Sequence, residues 1–154
     1  MAEYVYNEVQ TVQPGAAALI NVKIPCTHRP QLVIYGPGPN QLTLRGIANN
    51  PCARWARYRV TFGANIAIPE GGTPAEIQAA LSVGGQIMPT SISAATPTAA
   101  EAYWNVHGSA TIDVPCGVNY TIAVVNASVS ETPSTTPAPA FDMRNLNVEV
   151  TRVA

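Results

Sequence analysis

The chain has 154 residues, 47% of them hydrophobic and 11% charged, with a formal net charge of −1. That length suits a single domain, residues 1–154, burying roughly 70% of its unfolded surface. The near-zero charge leaves no electrostatic footprint for nucleic acid or an anionic membrane, and no run of about 18 apolar residues marks a membrane-crossing helix.

The predicted elements are almost all strands. Residues 1–12 read either as a first strand, Val5 to Val12, or as an N-terminal arm carrying Tyr4, Val5 and Tyr6; Pro14-Gly15 ends the segment. Ala18, Ile20, Val22 and Ile24 alternate with Leu19, Asn21 and Lys23, which predicts a second strand stopped at Pro25. Leu32 to Tyr35 and Leu42 to Arg45 form a third and a fourth, separated by Gly36-Pro37-Gly38-Pro39-Asn40, where glycine and proline force a turn. In Arg57 to Phe62 the apolar Tyr58, Val60 and Phe62 share one face and the arginines the other. Gly63 predicts a bulge or bend there, and Asn65 to Ile68 continues to Pro69.

Thr73-Pro74-Ala75-Glu76 has the residues of a helix start, with Pro at the first helical position and Glu two residues on. Ile77, Ala79, Leu81 and Val83 nevertheless alternate, and Gly84-Gly85 is a hairpin turn signal, so a strand is the favoured expectation. Tyr103 to Val106, Ala110 to Val114, Val118 to Val125 and Leu146 to Val153 complete a set of about nine or ten strands, while the Ser/Thr/Pro-rich residues 127–140 read as a mobile loop. Many short strands with regular turn signals predict an all-β, antiparallel β-sandwich of the jelly-roll kind.

Residue types for chemistry are scattered. His28 and His107 lack flanking motifs, and Ser109 with His107 and Asp113 has the composition of a triad without a nucleophile elbow. Gly36 to Pro39 lacks the lysine, the helix and the amide donors of a phosphate loop. Cys26, Cys52 and Cys116 each follow a proline at the end of an apolar run. Their spacing is wrong for a metal site, which favours buried thiols at strand ends over a disulfide or a thiol cluster. No catalytic residue, cofactor or metal is expected. Asn119-Tyr120-Thr121 and Asn126-Ala127-Ser128 match the glycosylation triplet, but the N-terminus has neither the basic start nor the apolar stretch of a secretory signal, so synthesis in a cytoplasm is expected. Charged residues are far below the roughly 25% of an average domain. Lys23 is the only lysine. A surface so poor in solvated charge is expected to be covered by neighbours, unless Thr, Ser, Asn and Gln keep it soluble alone.

Three segments carry a resemblance: Ala56-Arg57-Tyr58-Arg59-Val60-Thr61-Phe62-Gly63-Ala64-Asn65-Ile66-Ala67-Ile68-Pro69, the hairpin Leu81 to Pro89, and the terminus Leu146 to Ala154. They resemble small virion proteins of tailed phages, which are similar in turn to the trimeric jelly rolls of the tumour-necrosis-factor and complement-C1q type. The resemblance covers most of residues 50–154. It implies a non-enzymatic homotrimer that binds the outer surface of a phage head as a decoration or cement protein, made in the host cytoplasm and resident on the capsid. Its partners would be further copies of itself and the major capsid protein or another virion protein, with no nucleic acid and no membrane. Phe62, Tyr103 and Tyr120 are the candidate trimer contacts, since large aromatic side chains dominate the centres of interfaces. Tyr4, Val5 and Tyr6 are the candidate capsid-binding arm. A tail, fibre or baseplate module, and a carbohydrate-binding module, are the alternatives.

Overall fold

The computed structural model describes residues 1–20, 22–24, 32–47, 52–130 and 136–154. Cys26, His28, the expected stops at Pro25 and Pro51, and the middle of the predicted 127–140 loop lie outside them. Among the described residues twelve strands form: β1 Ala2–Tyr6, β2 Gln10–Val12, β3 Val22–Lys23, β4 Val33–Tyr35, β5 Leu42–Arg45, β6 Trp55–Ala67, β7 Ile77–Val83, β8 Gln86–Ile87, β9 Ser93–Ala95, β10 Trp104–Pro115, β11 Asn119–Asn126 and β12 Phe141–Arg152. One sheet runs β10-β6-β12-β1-β3, with β2 also paired to β12; the other runs β4-β5-β11-β7-β8, with β9 paired to β7. All the pairings are antiparallel. The two sheets form a jelly-roll sandwich. Among the described residues no helix is long and apolar enough to cross a membrane.

The core follows from alternation. In β6 the side chains of Ala56, Tyr58, Val60, Phe62, Ala64 and Ile66 are all buried, while Trp55, Arg57 and Arg59 between them are exposed. Ile77, Ala79 and Leu81 of β7 meet this layer from the opposite sheet with Leu42, Leu44, Ile122 and Val124. Aromatic groups bridge the layers. The Tyr4 ring stacks on Tyr35 at 6.3 Å between centroids, and the Tyr58 hydroxyl donates to the Arg45 carbonyl at 2.6 Å. The segment expected to be ambiguous is a strand: Thr73 to Glu76 is irregular, and Gly84 and Gly85, both at positive φ, turn β7 into β8.

Three expectations are corrected. Tyr103–Val106 and Ala110–Val114 are one strand, because Gly108 makes room for its neighbours instead of ending the run. A Cβ there would lie 2.2 Å from the Ser91 carbonyl oxygen and 2.5 Å from Phe62 Cε1. The bulge expected at Gly63 lies on the strand beside it. In β12 the register shifts between Arg144 and Asn147 opposite an unbroken β6, and Asn145 takes φ 52°. The predicted second strand shrinks to Val22–Lys23, because Ala18 and Ile20 instead turn inward and donate to the carbonyls of Val124 (2.8 Å) and Pro39 (2.9 Å).

Asn126 ties β2 to the segment that leads into β12. Its buried side-chain amide donates to the Val12 (2.9 Å) and Pro139 (3.0 Å) carbonyls, and its Oδ1 accepts from Ser128 N–H at 2.9 Å. An amide so engaged is closed to modification, which removes Asn126-Ala127-Ser128 as an acceptor triplet.

The bulge gives a direct test. Left-handed backbone costs a side-chain-bearing residue about 1–2 kcal/mol, Asn less, and glycine nothing. Asn145→Gly is therefore expected to match or exceed the parent in chemical denaturation. Asn145→Val is expected to lose about 1–2 kcal/mol.

Candidate assembly surface

Tyr4, Val5 and Tyr6 do not form a free arm. They lie in β1, paired on one side with Leu146–Val148 of β12 and on the other with Val22–Lys23 of β3. Tyr4 is fully buried and Val5 and Tyr6 are half-buried. Alternation explains this placement: Ala2 and Tyr4 point to the core exactly as far apart as a pleat requires, and the apolar character read as adhesive belongs to the sandwich itself.

The three candidate trimer contacts are not brought together either. Phe62 is 3% exposed and fills the space beneath Gly108, so it is core within one chain. Tyr103 is half-buried before the start of β10, with the Arg144 guanidinium 3.8 Å above its ring centroid. Tyr120 belongs to the other sheet, paired with Leu44 and packed against the core. Sequence alternation correctly marked Phe62 as inward; it could not say that the inward space is closed by the same chain.

The other chemistry-bearing residues remain dispersed. His107, Ser109 and Asp113 share the outer face of β10, but four residues of strand separate Ser109 from Asp113 by about 13 Å. Asp113 is engaged by Arg57, with Nε at 2.7 Å and Nη2 at 2.9 Å, across directly opposed positions. That hydrogen bond holds the Asp113 carboxyl below its ordinary range and raises the guanidinium. Both side chains are exposed, so the pair contributes little to stability. Cys52 and Cys116 are exposed and not buried as expected; Cys116 follows Pro115, the last residue of β10. Among the described residues no group of three or more His, Cys, Asp or Glu is placed to hold a metal.

A cleft of about 450 Å³ opens between residues 68–76 and the segments 129–130 and 136–140. Pro69, Pro74, Pro137 and Pro139 form much of its wall, and among the described residues no aromatic ring lines it. Glu76, its one carboxylate among the described residues, accepts from the Gln78 side chain at 2.6 Å. Trp55 and Trp104 are half-exposed but stand at opposite ends of the β6–β10 pair. A stacking platform for a sugar is not assembled from them.

What remains is the outer face of the β10-β6-β12 layer. Register sets its rows: Asn105, Asn65 and Arg144; then His107, Gly63 and Asn147; then Ser109, Thr61 and Glu149; then Thr111, Arg59 and Thr151. Short neutral polar groups fill most of these positions. Nothing stands within 4 Å of the space above Gly63, so the face has a shallow open centre. Arg59 and Glu149 bring opposite charges to adjacent rows. Sequence reading missed this surface because its members come from three strands distant in the chain.

No protein-family model matches the chain, and no curated protein sequence does. Among solved structures, Eiger TNF from S. frugiperda is similar at 13% identity and a TM-score of 0.57, over 100% of this chain and 92% of that one. The globular domain of the zebrafish complement 1qA protein is similar at 13% identity and a TM-score of 0.48, over 96% and 92%. The EclA C-terminal domain, a sugar-binding protein, reaches 14% and 0.43, over 94% and 79%. The Eiger likeness establishes a jelly roll of the tumour-necrosis-factor type as the fold.

Two outcomes follow from the burial of the aromatics. Phe62→Ala is expected to destabilise by roughly 3–5 kcal/mol, the cost of a large core cavity, as read from its denaturation midpoint. Burial also pushes the Tyr4 phenol from 10.0 up to about 12. The folded chain then keeps its proton where the unfolded chain loses it. That contribution to stability is whole below pH 10 and lost as pH climbs from about 10 to 12. Thermal melts should fall across that window, and Tyr4→Phe should flatten the fall.

Proposed function

We propose that the chain is a non-catalytic virion structural protein, a homotrimer that decorates the outer surface of a phage head and holds to the major capsid protein or a neighbouring virion protein. The observation that carries the reading is the outer face of the β10-β6-β12 layer, where short uncharged groups outnumber Arg59, Arg144 and Glu149. Asn65, Gly63, Thr61, Asn105, Ser109 and Asn147 offer hydrogen-bonding groups without the desolvation cost of buried charge. Such a face suits burial against further copies of the same chain. The scarcity of charge over the whole chain agrees with it, and so do the segments that resemble phage virion proteins. A rigid sandwich with dispersed chemistry serves attachment. Repeated copies on a repeating surface then strengthen a modest single contact through effective concentration.

Native mass spectrometry of the purified chain is expected to give a three-chain mass, and labelled protein is expected to bind whole heads but not isolated tails. Gly63→Arg places bulk and charge at the centre of the face, on backbone that needs no positive φ. It should leave the circular dichroism unchanged and weaken trimer association at least about tenfold, or 1.4 kcal/mol. A parent that stays monomeric at high concentration defeats the trimer; tail-only binding relocates the protein within the virion.

A further inference from the structure

β10 is an edge strand with a short unpaired window. The β6 side of β10 is bonded through even-numbered residues: Cys116 N–H reaches Arg54 O at 2.9 Å, and the antiparallel ladder repeats that parity up the strand. Odd-numbered residues of β6 turn the other way, as Arg57 N–H to Ala154 O at 2.9 Å confirms. The amides and carbonyls of the odd residues of β10 therefore face outward in the plane of the sheet. The His107 amide is capped there by the Ser93 hydroxyl at 3.4 Å. At the other end Pro115 has no N–H, and its carbonyl accepts from Val118 N–H at 3.0 Å. Between these stops lie Ser109, Thr111 and Asp113, whose main-chain groups have no hydrogen-bond partner among the described residues. Thr111 and Asp113 are exposed and Ser109 is half-buried.

We propose that this window is a pairing edge for the same window of a second copy, in antiparallel register about a twofold axis through Thr111. The window is symmetric about Thr111, so Ser109 faces Asp113 of the second copy and Thr111 faces its own equivalent. All three pairs then lie in bonded positions, giving about six main-chain hydrogen bonds, two per pair. The side chains agree with that register. A serine hydroxyl donates to a carboxylate at both ends, and a Thr–Thr pair, favourable across strands, sits at the centre. Centring on Asp113 would oppose two carboxylates. Centring on Ser109 would set Thr111 against the capped His107. Moving the axis by one residue either way loses a bonded pair to His107 or Pro115. An isologous contact of this kind closes on itself and does not run on as a fibre. Its main-chain bonds lie in the plane of the sheet and do not depend on the proposed trimer, while the Ser109 and Thr111 side chains stand on the β10 rim of the face that trimer uses.

Amide hydrogen exchange of the full chain at low and high concentration tests the contact. Ser109, Thr111 and Asp113 should gain protection together as concentration rises, at least about tenfold at full pairing, while native mass spectrometry shows even-numbered multiples of the smallest assembly. Thr111→Pro removes an edge amide that no bond among the described residues uses, so the fold is retained. It should lower the even-numbered species at least tenfold and abolish the linked protection. Thr111→Val, which keeps the backbone donor, should retain both. Exchange at the three amides that ignores concentration overturns the proposal. So does protection held in a three-chain species without even-numbered multiples, since that places the edge on a threefold contact. Loss of head binding with the even-numbered species intact defeats the decoration reading alone.

Discussion

The bulge at Asn145 is the constraint on which the larger sheet depends. β12 is the spine of that sheet, paired with β6 along one side and with β1 and β2 along the other. Its buried apolar residues are Phe141 and Met143 before the bulge, then Leu146, Val148 and Val150 after it. Odd numbers point inward first and even numbers afterwards. A strand of strict period two would drive one of these groups into solvent. One extra residue in left-handed backbone resets the parity and keeps both inside. The first strand answers the same break: β1 ends at Tyr6 and β2 begins at Gln10, on either side of the point where β12 bulges.

The alternation that predicts strands is local, and it performed well where the pleat is regular. Leu42–Arg45 matches to the residue, Asn119–Asn126 to within one, and the Gly84-Gly85 turn lies where its positive φ is needed. It failed where a non-local contact sets the meaning of a residue. Gly108 reads as a break from its neighbours in sequence. In space it is a clearance for the Phe62 ring and the Ser91 carbonyl, which come from elsewhere in the chain. Phe141–Asn145 falls between the 127–140 loop and the strand predicted from Leu146, because the parity switch hides this part of β12 from any test of fixed period. The register that shows it needs the partner β6.

The surface was less readable than the fold, for a related reason. Large aromatics serve cores and interfaces alike, so type alone does not separate Tyr4 and Phe62 from an adhesive residue. Burial separates them: both spend their apolar area inside one chain. Most of the groups that face outward from this layer are Thr, Ser, Asn and Gly, individually bland and spread over β6, β10 and β12. Only the cross-strand rows make them a surface. The low charge of the chain pointed to covered area without saying which face is covered.

Edge strands ask a separate question, since unpaired main-chain donors and acceptors invite further strands and natural sheets usually blunt them. β10 is long, and its two ends are blunted by different means, a serine hydroxyl on His107 and the absent amide of Pro115. Had the middle been a hazard alone, a lysine or a proline at Thr111 would have closed it at little cost, because no bond among the described residues uses that amide. The middle instead carries Ser, Thr and Asp in an order that matches its own reversal. Blunt ends also limit any added strand to the open length, which fixes register as well as extent. An edge stopped at both ends and self-complementary between them favours one closed pairing over an open series. That is the property the proposed decoration role requires, where each contact must end at its intended partner.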